Sequence, residues 1–345
     1  MDYRFQYGIV AVLCGLFAYS AGVNACSRLT YTGSDQLVVA GRSMDWVEDL
    51  HTDLWLFPAG TQRSGDTQPN SLAWTSKYGS IIASGYDIGT TDGINSEGLV
   101  ANLLYLSSTD YGKSQPNRKN LSVLNWAQYV LDNYATVDEA VKDYGQDKFN
   151  MIAPMLPNGA YPSLHLAIMD RSGDNAIFEY MGGKLQVHHS KAYNVMTNEP
   201  TYDKQLALNE YWQTLDGKFL PGTGEPQDRF VRASYYVNHA AQTAEVQKAI
   251  ATVFSIIRNV SVPMQEGFSD RPNISATLWR SVADAKNNVY YFENTNRPNV
   301  FWVDLHKLDL NKGASIKKLP LQNGEVYAGE VSEHFVASAP FYEKK

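Results

Sequence analysis

The chain has 345 residues, of which 44% are hydrophobic and 19% charged, and its formal net charge at pH 7 is −7. This composition is typical of a globular protein. The acidic balance, with no basic run, argues against nucleic acid as a partner, and no apolar stretch beyond the N-terminus is long enough to span a bilayer.

Residues 1–25 predict a signal peptide that is removed from the mature protein. Their apolar core, residues 9–18, has signal-peptide length, and Val23 and Ala25 give the small-x-small pattern that precedes a cleavage point. We expect cleavage between Ala25 and Cys26, which predicts an exported protein with no stable membrane insertion after processing. Two alternatives remain open: an uncleaved membrane anchor, and a lipoprotein signal in which Cys26 is acylated.

The next part of the chain, up to residue 144, predicts strands followed by helices. The apolar patterns indicate strands at 37–42, 80–84 and 98–103, a Gly- and Asp-rich turn at 89–93, and helices at 121–134 and 138–144.

The rest of the chain alternates in the same way. It predicts strands at 164–169, 176–180 and 185–189, a hairpin turn at 170–174, helices at 229–241 and 244–257, a hairpin of 274–283 and 288–294 over a turn at 284–286, and a strand at 301–304. Hairpins dominate over strand–helix–strand crossovers, which predicts an α+β fold of antiparallel sheets covered by helices.

No linker divides the mature chain, so residues 26–345 are predicted to form one domain.

The cysteines give the first indication of chemistry. The chain has two, Cys14 and Cys26, and only Cys26 remains after the predicted cleavage, at the first position. An N-terminal cysteine combines a thiol nucleophile with an α-amino group whose ordinary pKa, about 7.7–8.0, suits a general base. The alternative is a cleavage junction that has a cysteine by chance.

Other catalytic signatures are missing from the sequence. There is no G-x-S-x-G elbow, no phosphate-binding glycine-rich loop and no H-E-x-x-H motif, and the seven histidines are scattered. His188 and His189 are adjacent on a predicted strand and would point to opposite faces. We therefore expect neither a metal nor an organic cofactor.

Arg42 and Asp45 stand at the end of the first predicted strand, which should run beside the new N-terminus. Asp45 is suited to accept a hydrogen bond from the Cys26 ammonium, and Arg42 to favour the thiolate. Taken alone, the pair also fits an ordinary surface ion pair.

Five segments in order resemble one known family, the choloylglycine hydrolases, which include penicillin V acylases and conjugated bile salt hydrolases. Each segment is weakly specific alone, but together they span most of the mature chain. They are Cys26-Ser27-Arg28, Gly41-Arg42-Ser43-Met44-Asp45-Trp46, Asp92-Gly93-Ile94-Asn95-Ser96-Glu97-Gly98-Leu99, Val195-Met196-Thr197-Asn198-Glu199-Pro200-Thr201-Tyr202-Asp203, and Leu220-Pro221-Gly222 with Arg229-Phe230-Val231-Arg232-Ala233.

The resemblance implies an N-terminal-nucleophile (Ntn) hydrolase fold, an αββα sandwich with two antiparallel sheets between helix layers. It also implies a catalytic role for each matching residue. Cys26 would be the nucleophile, Arg42 and Asp45 would orient and tune it, Asn198 would donate to the oxyanion, and Arg229 would hold the thiolate and Asp45. For Asn198 and Arg229 the alternatives are a turn residue and a helix-surface charge.

One position departs from the family pattern. The position that usually contributes to the oxyanion hole falls near Leu104, where only a backbone N–H is available, and Asn102 and Tyr105 are candidates for neighbouring contacts. For the acyl pocket, Trp46 is the first candidate because it follows Asp45 directly. Tyr105 and Trp74 are further candidates.

The resemblance implies a small-molecule acyl amide substrate and is closest to the Gram-negative penicillin V acylase branch, which favours the periplasm. Penicillin V acylase activity is expected, with N-acyl homoserine lactones as possible substrates. A conjugated bile salt hydrolase, an acid-ceramidase-like amidase and a non-catalytic lipoprotein acylated at Cys26 are the alternatives. The family is usually tetrameric, so a homotetramer is expected, although the short segment between Asn198 and Arg229 leaves the assembly open.

Overall fold

The computed structural model describes residues 26–65, 69–264, 275–297 and 299–341. The predicted signal peptide therefore lies outside the described residues. Within them, every helix is too short or too polar to cross a membrane.

Strands make up most of the regular structure. They are β1 (Ser27–Thr32), β2 (Val38–Trp46), β3 (Leu54–Phe57), β4 (Gln62–Ser64), β5 (Ala73–Thr75), β6 (Ser80–Gly85), β7 (Gly89–Asn95), β8 (Val100–Tyr105), β9 (Lys119–Ser122), β10 (Phe149–Ile152), β11 (Leu164–Met169), β12 (Asn175–Met181), β13 (Lys184–His189), β14 (Val195–Thr197), β15 (Ala276–Asp284), β16 (Val289–Asn294), β17 (Val300–Asp304), β18 (Lys317–Leu319), β19 (Gly329–Glu330) and β20 (Val336–Ala337). The helices are α1 (Trp126–Asn133), α2 (Val137–Asp143), α3 (Tyr202–Gln213), α4 (Pro226–His239) and α5 (Val246–Asn259).

Two large sheets are stacked between helices. Sheet one has the order β14-β1-β2-β15-β16-β17-β19, and sheet two has the order β13-β12-β11-β8-β7-β6-β3-β18-β20. Neighbouring strands are antiparallel throughout both sheets, except that β17 and β19 run parallel. Helices α4 and α5 pack on sheet one, and α1 and α2 pack on sheet two. The predicted α+β sandwich is therefore confirmed.

The strand and helix predictions are largely confirmed, but one predicted turn is wrong. Residues 89–93, predicted as a turn, lie in β7 instead. The chain reverses earlier, where Ile88 N–H donates to the Gly85 carbonyl at 3.0 Å and where Tyr86 and Asp87 adopt left-handed φ angles of 53° and 54°. Glycines predict a turn by their conformational freedom, but here two non-glycine residues adopt the unusual backbone.

One helix prediction needs correction, and one helix was not predicted. The helix predicted over 121–134 begins only at Trp126, because residues 119–122 form β9 and a 3₁₀ turn follows. Helix α3 was not predicted, since its exposed surface leaves only a few buried positions and no apolar stripe.

Helix α5 lies directly against β2 at Gly41. A Cβ atom at this position would lie 2.4 Å from Val253 Cγ1 and 2.9 Å from Ile257 Cγ1. Real Cβ atoms do not approach other carbon atoms so closely, so the glycine allows the helix to contact the strand backbone. This contact fixes the strand segment that carries Arg42.

We predict that Gly41→Ala lowers the free energy of unfolding by about 1–3 kcal/mol, because the added methyl group overpacks the helix–strand contact. Urea denaturation followed by circular dichroism measures the effect. The matched control is Gly222→Ala, since no atom lies within 4 Å of a Cβ built there. Equal midpoints for the two variants would contradict the prediction.

Candidate active site

Strand pairing places Cys26 next to Asn198. Ser27 pairs with Thr197 on one side and with Ser43 on the other. Because the strands are antiparallel, one step back along β1 corresponds to one step forward on each neighbour. Cys26 therefore lies beside Asn198 and close to the end of β2, as the family resemblance leads one to expect.

The Cys26 sulfur lies in a buried, cation-bearing environment. The Asp45 backbone N–H donates to Sγ at 3.4 Å, and Arg42 Nη2 lies 3.9 Å from it. The residue is only 2% exposed. Burial raises the pKa of the Cys26 thiol, and the positive charge of Arg42 partly offsets this effect.

Arg42 is held by sheet two although it belongs to sheet one. Its Nη2 donates to the Leu103 carbonyl at 2.8 Å, and its Nη1 forms an ion pair with Asp92 at 3.5 Å. The guanidinium also lies over the ring of Trp279, 4.7 Å from the centroid. These contacts fix the cation beside the sulfur of Cys26.

Asp45 and Arg229 form a second buried pair. Arg229 Nη1 lies 3.5 Å from Asp45 Oδ2 and donates to the Ser27 hydroxyl, while its Nε donates to the Gly224 carbonyl at 2.9 Å. The Thr277 hydroxyl donates to Asp45 Oδ1. Burial raises the pKa of Asp45 to about 6, against the opposing effects of Arg229 and Thr277.

One oxygen of this carboxylate has spare capacity. Among the described residues, Asp45 Oδ2 has no hydrogen-bond donor, although it is buried. Buried carboxylate oxygens are normally hydrogen-bonded. Beside its ion pair with Arg229, this oxygen can therefore accept a further hydrogen bond.

Asn198 lies on the opposite side of Cys26. Its Nδ2 donates to the Tyr105 carbonyl at 2.8 Å, and its Oδ1 has no partner within the described part of the chain. The amide nitrogen carries a second hydrogen, which is available to a bound oxyanion.

The pairing of β8 shows which backbone N–H near Leu104 is free to donate. The Leu106 N–H donates to the Ser163 carbonyl at 2.9 Å, so the N–H of every second residue, including Leu104, is turned toward β11. The N–H of Tyr105 faces the other side, where pairing with β7 ends at Asn102. The available donor beside Asn198 is therefore the Tyr105 amide.

Two of the predicted substrate-binding side chains also lie elsewhere. Leu104 is 1% exposed and packs in the core shared by the two sheets. Trp74 donates from Nε1 to Asp132 at 2.8 Å and packs edge-on against Tyr129, 5.2 Å between ring centroids. Neither side chain lines the cleft at Cys26, and Trp74 has a structural role under α1.

A mainly apolar cleft opens at Cys26 where β7 and β8 separate. Pairing between these strands is confined to Asp92–Ile94 and Val100–Asn102. The strand residues beyond the paired segment line the cleft instead. Its volume is about 590 Å³, counted to its open mouth, and its walls are formed by Cys26, Arg42, Met44, Trp46, Leu50, Gly85, Tyr86, Gly89, Thr90, Thr91, Leu103, Tyr105, Leu124, Leu156, Pro162 and Leu164.

Trp46 and Tyr105 both lie in this cleft, with their rings edge-on and 6.2 Å between centroids. Three contributing residues were not predicted from the sequence. Asp92 lies in one of the five family-like segments, but no role is evident from that segment alone. Thr277 lies more than 200 positions from its partner Asp45, and nothing local indicates Tyr86 as a wall residue.

Comparisons with known proteins identify the family of this chain. The family profile for linear amide C–N hydrolases, choloylglycine hydrolase family, matches residues 26–318. Penicillin V acylase of Pectobacterium atrosepticum is 46% identical over 95% of this chain and 94% of its own length. A conjugated bile acid hydrolase of Lactobacillus acidophilus is 23% identical over 82% of this chain and 98% of its own length.

Solved structures give the same result. The structure of penicillin V acylase from Agrobacterium tumefaciens superposes with a TM-score of 0.86 at 49% identity, covering 92% of this chain and 98% of the other. A variant of conjugated bile acid hydrolase from Clostridium perfringens shares the fold, with a TM-score of 0.73 at 22% identity over 88% of this chain and 98% of the other. The chain therefore belongs to the choloylglycine hydrolase family and is a hydrolase of linear amide C–N bonds.

Proposed function

We propose that this protein hydrolyses the amide of penicillin V with Cys26 as an N-terminal nucleophile, in the periplasm, after removal of residues 1–25. The observation that carries the proposal is the buried Asp45 Oδ2, which is ion-paired with Arg229 at 3.5 Å but accepts no hydrogen bond from the described residues. It belongs to the residue whose backbone N–H donates to the Cys26 thiol. Cleavage before Cys26 would create an α-ammonium group, and this oxygen is suited to accept a hydrogen bond from it. The family profile also begins its match at Cys26.

In the proposed acylation step, the α-amino group accepts the thiol proton and the Cys26 sulfur attacks the substrate carbonyl carbon. Negative charge develops on the carbonyl oxygen, where Asn198 Nδ2 and the Tyr105 N–H are positioned to donate. The tetrahedral intermediate then expels the amine, which takes its proton from the α-ammonium. An acyl thioester remains on Cys26.

In the proposed deacylation step, the α-amine takes a proton from water, and the resulting hydroxide attacks the carbonyl carbon of the thioester. The same two donors stabilise the negative charge on the carbonyl oxygen. Collapse of the second intermediate releases the carboxylic acid and returns the proton to the sulfur. Asp45 and Arg42 keep the amine and the sulfur oriented throughout. No step requires a metal or an organic cofactor.

The cleft favours an apolar acyl group. Trp46 and Tyr105 offer aromatic surface next to the nucleophile, which suits a phenoxyacetyl group. Five leucines, Leu50, Leu103, Leu124, Leu156 and Leu164, extend the wall. This aliphatic surface favours fatty acyl chains and supports N-acyl homoserine lactones as a second candidate substrate.

Two other points remain predictions. Lipidation of Cys26 would block the α-amine, so the lipoprotein alternative excludes this mechanism. The homotetramer implied by the family resemblance is likewise a prediction.

The first prediction concerns the mature N-terminus. Protein recovered from the periplasm of a Gram-negative host should begin at an unmodified Cys26, as measured by intact mass and N-terminal sequencing. Cys26→Ser should lower penicillin V hydrolysis by about 10³-fold or more, because a hydroxyl is a far weaker nucleophile than a thiolate. Cys14→Ser is the matched control and should keep full activity. A mature chain that starts elsewhere or carries a lipid would contradict the mechanism.

The second prediction concerns the oxyanion. Asn198→Ala should lower kcat by about 10²- to 10³-fold with little change in KM, because its amide acts on charge that develops only in the transition state. Steady-state kinetics with penicillin V measures the two parameters. The exposed Asn296→Ala serves as the control. A loss confined to KM would show that Asn198 acts in ground-state binding instead.

The third prediction concerns pH. The carboxyl of Asp45 has a pKa of about 6 in the uncleaved chain, and a new ammonium beside it lowers this pKa. Protonation removes the carboxylate that orients the α-amino group, so kcat/KM of the processed enzyme should show an acid limb centred below pH 6. This limb is distinct from the fall at higher pH that follows protonation of the α-amine, the proposed base. Asp45→Asn should lack the limb below pH 6, and a limb below pH 6 that persists in this variant would contradict the prediction.

A further inference from the structure

The turn between β6 and β7 has a sequence that does not suit its backbone. Tyr86 and Asp87 both adopt left-handed φ angles, 53° and 54°, and the Ile88 N–H closes the turn on the Gly85 carbonyl at 3.0 Å. Such a hairpin turn favours asparagine and glycine at its two central positions, whereas a bulky aromatic residue is strained there. Strain of this kind is retained where the side chain has a function.

Several contacts hold the turn in place. The Tyr86 N–H donates to the Leu50 carbonyl at 2.6 Å. Asp87 Oδ1 accepts hydrogen bonds from Trp55 Nε1 at 2.9 Å and from the Ser84 hydroxyl at 3.1 Å. The backbone of the turn is therefore fixed.

The Tyr86 hydroxyl joins three separate segments. It accepts hydrogen bonds from Trp46 Nε1 at 2.8 Å and from Asn158 Nδ2 at 3.3 Å, and it donates to the carboxylate of Glu48. Burial, reinforced by Glu48, raises the pKa of Tyr86. The hydroxyl consequently stays protonated and keeps donating at neutral pH. We call this group of four side chains the Tyr86 clasp.

The clasp lies at the mouth of the cleft. Glu48 and Asn158 are exposed, whereas Trp46 and Tyr86 are partly buried and line the cleft wall. The segment that contains Asn158 also supplies Leu156 to the wall. The clasp thus joins three parts of the cleft wall: the end of β2, the turn between β6 and β7, and the segment that contains Asn158.

We infer that Tyr86 is a specificity-determining residue whose hydroxyl holds the rim of the cleft at a fixed width and so selects compact acyl groups over long ones. The inference rests on the proposed function, because it treats the cleft as the acyl site. A rim tied at three points resists widening and also fixes the indole of Trp46, so aryl groups of one size are bound by a preorganised surface.

The test compares binding of phenoxyacetate and dodecanoate, the acyl halves of a compact and a long-chain substrate, by isothermal titration calorimetry. Tyr86→Phe keeps the ring and removes the hydroxyl. It should shift the ratio of the two dissociation constants toward dodecanoate by about three- to tenfold, the effect of losing the bonds that one hydroxyl makes. Tyr211→Phe, which alters an exposed tyrosine, should leave the ratio unchanged.

A second variant separates selectivity from stability. Tyr86→Asn places a residue that tolerates the left-handed backbone in the turn, so its melting temperature should equal or exceed that of the parent protein while its selectivity falls as in Tyr86→Phe. A ratio within about twofold of the parent value in both variants would overturn the inference, as would a parent protein that binds neither acid.

The two proposals fail in different ways. A parent protein that binds both acids with the expected shift in Tyr86→Phe, but hydrolyses no penicillin V, would remove the proposed function and leave the clasp in place. An active enzyme whose acyl selectivity is insensitive to the Tyr86 hydroxyl would overturn the clasp alone.

Discussion

The site depends on two buried arginines that flank one cysteine. Arg42 and Arg229 are 1% and 0% exposed, and burying a cation without a partner costs several kcal/mol. Each therefore has a carboxylate partner, Asp92 for Arg42 and Asp45 for Arg229. Because Arg42 lies on sheet one and Asp92 on sheet two, the first pair also ties the sheets together. The catalytic geometry is consequently inseparable from the sandwich.

The same charges explain why the thiol needs the proposed α-amine. Burial raises the pKa of Cys26, and Arg42 offsets this only in part, so the sulfur retains its proton until a nearby base accepts it. Within the described residues no histidine contacts the sulfur; its polar neighbours are Arg42 and the backbone of Asp45. The proposed α-amine of Cys26 itself, oriented by Asp45, would supply the base that these contacts lack.

The sequence predicted the fold class, and it predicted that five polar candidate residues lie close together, because both depend on signals that are local in the chain or occur in a fixed order along it. Hairpin turns and alternating strands are local, and Arg42 and Asp45 follow Cys26 closely enough for one strand pairing to bring them together. The assignment of Leu104 failed because the direction of a strand N–H depends on register, which the Leu106–Ser163 bond sets and no residue type indicates. The prediction that Trp74 lines the acyl pocket failed for a related reason, since the sequence does not distinguish an aromatic residue of the core from one that lines a cleft.

One irregularity accounts for much of the site. Strands β7 and β8 pair only as far as Asn102, and the separation beyond it opens the cleft and leaves the Tyr105 N–H free to serve as a donor. The same gap lets Arg42 reach the Leu103 carbonyl. A bulge in the pairing of β6 with β7, between Ala83 and Ser84, leads into this region and into the strained turn. Bulges bend strands and interrupt ladders, so a local loss of regular pairing provides both the cleft at Cys26 and the free backbone N–H that the proposed mechanism uses.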